Sequence, residues 1–184
     1  MRRLRISLIL LPLLLAACAH SGAPSTYLVE QTGPYLLDSG DVLRVSVYGD
    51  PSLTNTYRVD DSGAIAMPLV GAVPARGITT TALSQRVASA LAAGFMRNPN
   101  VAVEVAEYRP FFIQGAVGTS GQYPYVYGMT VRAAISAAGG FSDTASRDTS
   151  TIYRRQNDEM VKGNVELDFP IQPGDTIVIS ERWL

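Results

Sequence analysis

Apolar and polar residues alternate with a period of two along several short stretches of this chain, and twice the spacing becomes helical. From Val42 to Tyr48, Leu43, Val45 and Val47 fall on one side, Arg44 and Ser46 on the other, which predicts a half-buried strand. Tyr57-Arg58-Val59 and Ala64 to Met67 flank Asp60-Asp61-Ser62-Gly63, the signal of a hairpin with Gly63 at a positive φ. Pro68, Gly71, Pro74 and Gly77 then mark a turning segment. Leu83, Val87 and Leu91 recur at i, i+4, i+8, so a helix capped by Thr79 or Thr80 is expected to run to about Ala93. Asn98-Pro99-Asn100 precedes a strand with Val101, Val103 and Val105 on one face, and Arg109-Pro110 reads as a domain boundary. Beyond it come strands at Phe111–Gln114 and Gln122–Tyr127, separated by Gly115, Gly118 and Gly121. A short helix after Thr130 turns Val131, Ala134, Ile135 and Ala138 inward and ends at Gly139-Gly140, with one glycine left-handed. Strands at Thr151–Arg154, Val165–Leu167 and, after Pro173-Gly174-Asp175, Thr176–Ser180 complete the pattern. The expected class is α+β, two small mixed domains over 35–109 and 110–184.

The start of the chain follows a different logic. Arg2, Arg3 and Arg5 precede an apolar run from Ile6 to Ala17, 12 residues long. A membrane-spanning helix needs about 20, whereas a secretory signal has these proportions. The run ends in Leu15-Ala16-Ala17-Cys18, which resembles a bacterial lipobox, so residues 1–17 are expected to be removed and Cys18 to carry lipid. Each buried acyl methylene contributes about 0.8 kcal/mol, and a multiply acylated cysteine anchors its chain permanently. Ala19, where enteric lipoproteins kept in the inner membrane have Asp, points to the outer membrane. Residues 18–34 form a lipidated tether; the polar run from Ala19 to Pro34 has a root-mean-square reach of roughly 20–25 Å.

Charge narrows the possibilities. The chain has 15 basic and 16 acidic residues, and losing the leader removes three arginines, so the mature protein is acidic without a basic run. That composition disfavours nucleic acid as a partner. The only cysteine is assigned to lipid and the only histidine, His20, lies beside it in the tether. No disulfide, histidine base or His/Cys metal site is therefore available. Asp60-Asp61 and Asp158-Glu159 read as solvated turns, and Gly115-x-x-Gly118-x-x-Gly121 is not a dinucleotide fingerprint. No catalytic residue, metal or cofactor is expected. Two clusters are left as contact candidates. Tyr123, Tyr125 and Tyr127 alternate on one face of an expected edge strand, either stacking on sugar or covering a core or subunit contact. Arg154 and Arg155, with Lys162, form the one local basic group, facing an acidic polymer, a neighbouring subunit or solvent alone. Gly40-Asp41 and Gly174-Asp175 each precede an alternating strand, a faint internal echo.

Tyr35-Leu-Leu-Asp-Ser-Gly40-Asp41-Val-Leu, followed by Val59-Asp-Asp-Ser-Gly63-Ala-Ile-Ala-Met-Pro68-Leu-Val-Gly71, is similar to the polysaccharide biosynthesis/export domain of the outer-membrane polysaccharide-export (Wza-like) family. Ser62 stands where that family commonly has Asp. Gly115-Ala-Val, Gly121-Gln-Tyr, Ala137-Ala-Gly139-Gly140 and Pro173-Gly174-Asp175 resemble an SLBB domain, a β-grasp module, with Ser120 where Pro is common. These motif residues shape backbone rather than chemistry. The resemblance implies a non-enzymatic periplasm-facing lipoprotein that assembles into a ring of identical subunits. Its implied partners are the polysaccharide, outer-membrane lipid and an inner-membrane polysaccharide co-polymerase. Longer members carry further SLBB domains and a C-terminal amphipathic pore helix. This chain reaches Leu184 directly after its last expected strand, so it resembles the short members, and a separate outer-membrane pore is expected. The competing reading is a monomeric lipid-anchored sugar-binding module with no conduit role.

Overall fold

The computed structural model describes residues 33–156 and 159–182. The leader, Cys18, most of the tether, Asp158 and Leu184 lie outside the described residues.

The first half builds β1 (Val42–Val47), β2 (Asn55–Arg58), β3 (Ala64–Met67), β4 (Gly71–Pro74), α1 (Thr80–Ala92) and β5 (Val101–Glu107). An antiparallel sheet of order β2-β1-β5 lies beside the β3-β4 ribbon. In β1, Leu43, Val45 and Val47 are buried and Arg44 is exposed, as the alternation requires. The Thr79 hydroxyl accepts from the Ala82 N–H at 3.1 Å, capping α1. Leu83, Val87 and Leu91 are fully buried and join β1 and β3 residues in one core.

The expected hairpin around Asp60–Gly63 is only half realised. The turn forms: the Asp60 N–H donates to Ala64 O at 2.8 Å, and Gly63 takes φ +83°. Its two flanks then part company. Val59 exchanges backbone bonds with Gly40 and Asp41, which keeps β2 on β1. Gly63 O accepts from the Ala75 and Arg76 N–H groups, which draws β3 to β4. The segment read as turns therefore contains β4, which pairs Met67 with Gly71 through Ala64 with Pro74.

The second half builds β6 (Phe111–Gly115), β7 (Gly121–Tyr123), α2 (Val131–Ala137), β8 (Thr149–Gln156), β9 (Glu159–Glu166) and β10 (Thr176–Ile179). The sheet order is β7-β6-β10-β8-β9. The domain's first and last strands, β6 and β10, lie side by side and parallel, and the other neighbours are antiparallel. One helix packed on such a mixed sheet is the β-grasp arrangement, so the α+β expectation holds in both halves. Val131, Ala134 and Ile135 of α2 are buried with Phe111, Ile113, Ile152, Ile177 and Ile179. Both Gly139 and Gly140 are left-handed (φ +86°), one more than expected. The strand expected at Val165–Leu167 extends instead over Glu159–Glu166, paired with β8 along its length. Among the described residues no helix is long and apolar enough to cross a membrane.

Candidate functional site

The residues with the richest polar environment lie where the two domains meet, and the Gly-Asp echo is the key to them. Asp41 and Asp175 are both fully buried. Each closes its own turn: Asp38 N–H donates to Asp41 Oδ2 at 2.9 Å, and Gln172 N–H donates to Asp175 Oδ2 at 2.7 Å. Each turn also docks on a neighbouring segment by two backbone bonds. Gly40 N–H donates to Val59 O and Val59 N–H to Asp41 O; Gly174 N–H donates to Pro110 O and Phe112 N–H to Asp175 O. Gly40 and Gly174 have φ of +96° and +84°, which suits glycine. The echo is a repeated local geometry, visible in sequence only as two dipeptides.

An arginine completes each turn. Arg154 donates from Nε and Nη2 to the two Asp175 oxygens at 2.8 and 2.7 Å, a bidentate pair that is 3% exposed on the arginine side. This corrects the surface reading of Arg154. In β8 it points inward with Ile152, whereas Arg155 points out, so no contiguous basic patch forms. At Asp41 the arginine is Arg109, in the segment between the domains. Its N–H donates to Asp41 Oδ1 at 3.0 Å, and its Nη1 donates to the Tyr35 hydroxyl at 2.7 Å and lies 3.5 Å from Asp41 Oδ2. The Arg109 stem also lies against the second turn: a Cβ on Gly174 would sit 2.8 Å from its Nε. One side chain thus touches both Gly-Asp turns.

The Tyr35 hydroxyl donates to Asp41 Oδ2 at 2.7 Å. Burial pushes its phenol far above the usual value, with Arg109 pulling the other way. Folded Tyr35 keeps its proton where the unfolded chain loses it. Stability linked to this group is therefore complete below about pH 10 and is lost as pH rises beyond that. Urea midpoints measured between about pH 9 and 11 are expected to fall less steeply in Tyr35→Phe than in the parent; equal slopes would contradict this.

The aromatic residues form a chain rather than a stripe. Tyr35 meets Tyr108 edge-on at 5.0 Å, and Tyr108 meets Tyr125 edge-on at 5.4 Å. This links the N-terminal segment, the inter-domain segment and the second domain. Tyr123 stacks on Phe111 at 5.9 Å. The expectation of one strand face presenting Tyr123, Tyr125 and Tyr127 is not met. β7 ends at Tyr123, Pro124 leads out of the sheet, Tyr125 is half-buried and Tyr127 is 77% exposed. Beside this chain opens a cleft of about 490 Å³ between the domains, whose lining includes Arg58, Glu107, Tyr108, Gln122, Tyr123 and Tyr125. A smaller recess of about 230 Å³ lies between Tyr35, Tyr125, Tyr127 and Pro170–Pro173. Tyr35, Arg58, Glu107, Tyr108, Arg109 and Gln122 were not singled out by sequence. The available signal in the sequence is Arg109-Pro110, which marks a boundary and does not disclose the contacts of Arg109. Among the described residues no group of three or more His, Cys, Asp or Glu is placed to hold a metal.

The described residues form a mixed α+β domain followed by a β-grasp domain, joined through buried turns: a two-module protein. Comparison with known proteins agrees: residues 29–106 match the polysaccharide biosynthesis/export protein family and residues 110–165 match the SLBB domain. The chain belongs to the polysaccharide-export family and carries an SLBB domain. It is 34% identical to the exopolysaccharide production protein ExoF of Rhizobium meliloti (strain 1021), over 69% of this chain and 32% of that protein. It is 27% identical to the polysialic acid transport protein KpsD of Escherichia coli, over 80% of this chain and 28% of that one. It is 26% identical to the EPS I polysaccharide export outer membrane protein EpsA of Ralstonia nicotianae, over 89% of this chain and 52% of that one. The chain thus spans about a third to a half of the length of the curated relatives it matches.

Proposed function

We propose that this protein is a non-enzymatic component of a polysaccharide secretion route. It is an outer-membrane lipoprotein, acylated at Cys18 and facing the periplasm, that assembles into a ring through which polymer passes from an inner-membrane co-polymerase. The observation that carries this reading is the fixing of its two domains to one another by Arg109, the two Gly-Asp turns and the tyrosine chain. A closed ring requires every protomer to present its two contact surfaces at one constant angle. A junction built from Arg109, part-buried against Asp41 and the Gly174 turn, and from edge-packed rings resists the hinge motion that is the default between small domains. The names of the three relatives support polysaccharide as the cargo.

Deleting the gene and measuring polymer outside the cell tests the reading: loss of extracellular polymer, with polymer retained inside, is expected. Unchanged secretion overturns it. The anchor is tested separately by Cys18→Ala. With no sulfur to acylate, the protein is expected to move from the membrane fraction to the soluble periplasmic fraction and to lose most of its secretion activity. Retention in the membrane after substitution would contradict lipidation at this position.

A further inference from the structure

We propose that the inter-domain cleft binds a short run of uncharged pyranose residues. Tyr108, Tyr123 and Tyr125 supply apolar ring faces, and Arg58, Glu107 and Gln122 bond the sugar hydroxyls. The proposal deepens the export reading and rests on it for the source of the sugar.

The polar groups are placed by the sheet. Arg58 and Glu107 are both in register with Val42, one on each side of β1, at the end of the sheet nearest the second domain. Leu43 and Tyr57 point into the core, so the Val42 row points outward. Two interstrand spacings separate the guanidinium-bearing strand from the carboxylate-bearing one, roughly 9–10 Å. The β1-β5 register shifts between Val42 and Leu43, so Ala106 is an extra residue and Glu107 is turned toward the cleft. Bulges that re-aim a side chain in this way concentrate beside functional sites. The opposite wall is the edge strand β7 and its exit, bearing Gln122, Tyr123 and Tyr125.

These groups have hydrogen-bonding capacity to spare. Arg58 donates from Nη1 to Gly40 O at 3.0 Å, which steadies it and leaves its other N–H groups free among the described residues. The side chains of Glu107 and Gln122 make no hydrogen bond or ion pair among the described residues. A guanidinium, a carboxylate and an amide together donate to and accept from neighbouring hydroxyls, while tyrosine rings cover the C–H faces of a pyranose. The one positive and one negative charge offset each other, so a polyanion gains little here. The volume of about 490 Å³ falls within the range of small-ligand clefts, about 300–1,000 Å³. The inter-domain position is also where such sites concentrate.

The test is a titration of the full lipidated chain in detergent micelles, with ring-labelled tyrosine followed by NMR. The probes are cellotetraose, chitotetraose, oligosaccharides cut from the cell's own secreted polymer, and an oligogalacturonate. Saturating shifts at Tyr108, Tyr123 and Tyr125 are expected with at least one uncharged probe. Tyr48, just beyond the far end of β1, is expected to stay still. Arg58→Ala, Glu107→Ala and Gln122→Ala, all at exposed positions, are each expected to weaken binding about tenfold or more while leaving the urea midpoint unchanged. Lack of saturation with every probe, shifts indifferent to the three substitutions, or tightest binding of the oligogalacturonate would overturn the proposal. Binding of chitotetraose but not of the cell's own oligosaccharide supports the cleft with the peptidoglycan backbone as its source. The gene deletion decides the export reading separately: lost secretion without oligosaccharide binding removes the cleft and leaves the export role, and the reverse pattern does the opposite.

Discussion

Replacing Asp175 with alanine is expected to cost about 3–5 kcal/mol of folding stability, read as a large fall in the urea midpoint. The carboxylate is fully buried and accepts from Arg154 Nε, Arg154 Nη2 and the Gln172 N–H. Burial pushes its pKa up, and the two bonds from Arg154 oppose that. Removing the carboxylate leaves the Arg154 guanidinium stranded at 3% exposure, with Phe169 5.7 Å away and Pro170 O at 3.3 Å as its remaining company. An unpaired buried charge is far costlier than the pair is favourable. Arg154→Leu combined with Asp175→Ala is therefore expected to recover much of the loss, because no charge then remains buried. A double variant as unstable as Asp175→Ala alone would show that the turn itself, rather than the stranded guanidinium, carries the penalty.

Gly115→Ala is expected to be as damaging for a different reason. Gly115 has φ +94°, where a side chain is strained by about 1–3 kcal/mol. It also pairs with Ile179 at the C-terminal ends of β6 and β10, neighbouring strands that run parallel. A Cβ there would collide with the Ile179 backbone carbonyl, which accepts from the Ala116 N–H at 2.9 Å. The clash is with backbone rather than the flexible end of a side chain, so the two strands must shift apart at this point. The expected result is a second domain that unfolds at much lower urea, or protein that does not accumulate. Gly121→Ala is the control: its nearest neighbour would be Tyr123 Cε2 at 3.8 Å, and its cost is expected to stay within about 0.5 kcal/mol. Parent-like unfolding of Gly115→Ala would contradict the parallel pairing at this point.

Local signals made much of the fold legible. Thr79 with Leu83, Val87 and Leu91 specified α1, and the alternation of Leu43, Val45 and Val47 specified β1, because burial follows periodicity when one face packs. What escaped depended on distant partners. β4 is four residues long with Gly71 and Pro74 at its ends, so composition read it as turns; its pairing with β3 decides otherwise. Arg154 read as exposed because arginine is rarely buried, and only a carboxylate 21 positions away in sequence reverses that default. The tyrosines alternate correctly, yet a strand must continue for alternation to mean one face, and β7 stops before Pro124. The junction was the least legible feature. Arg109 meets Asp41 and Tyr35, 68 and 74 positions earlier, and the Gly174 turn of the other domain, partners that no local pattern specifies. The family resemblance, by contrast, rested on the order of turn motifs, which survives in sequence without any long-range pairing.

Assembly into a ring is tested by the mass of the full lipidated protein in mild detergent, by light scattering coupled to gel filtration. A discrete closed oligomer whose mass does not drift with concentration is expected. A monomer at high concentration, unchanged when the inner-membrane co-polymerase is added, would contradict it and leave a lipid-anchored sugar-binding module in its place.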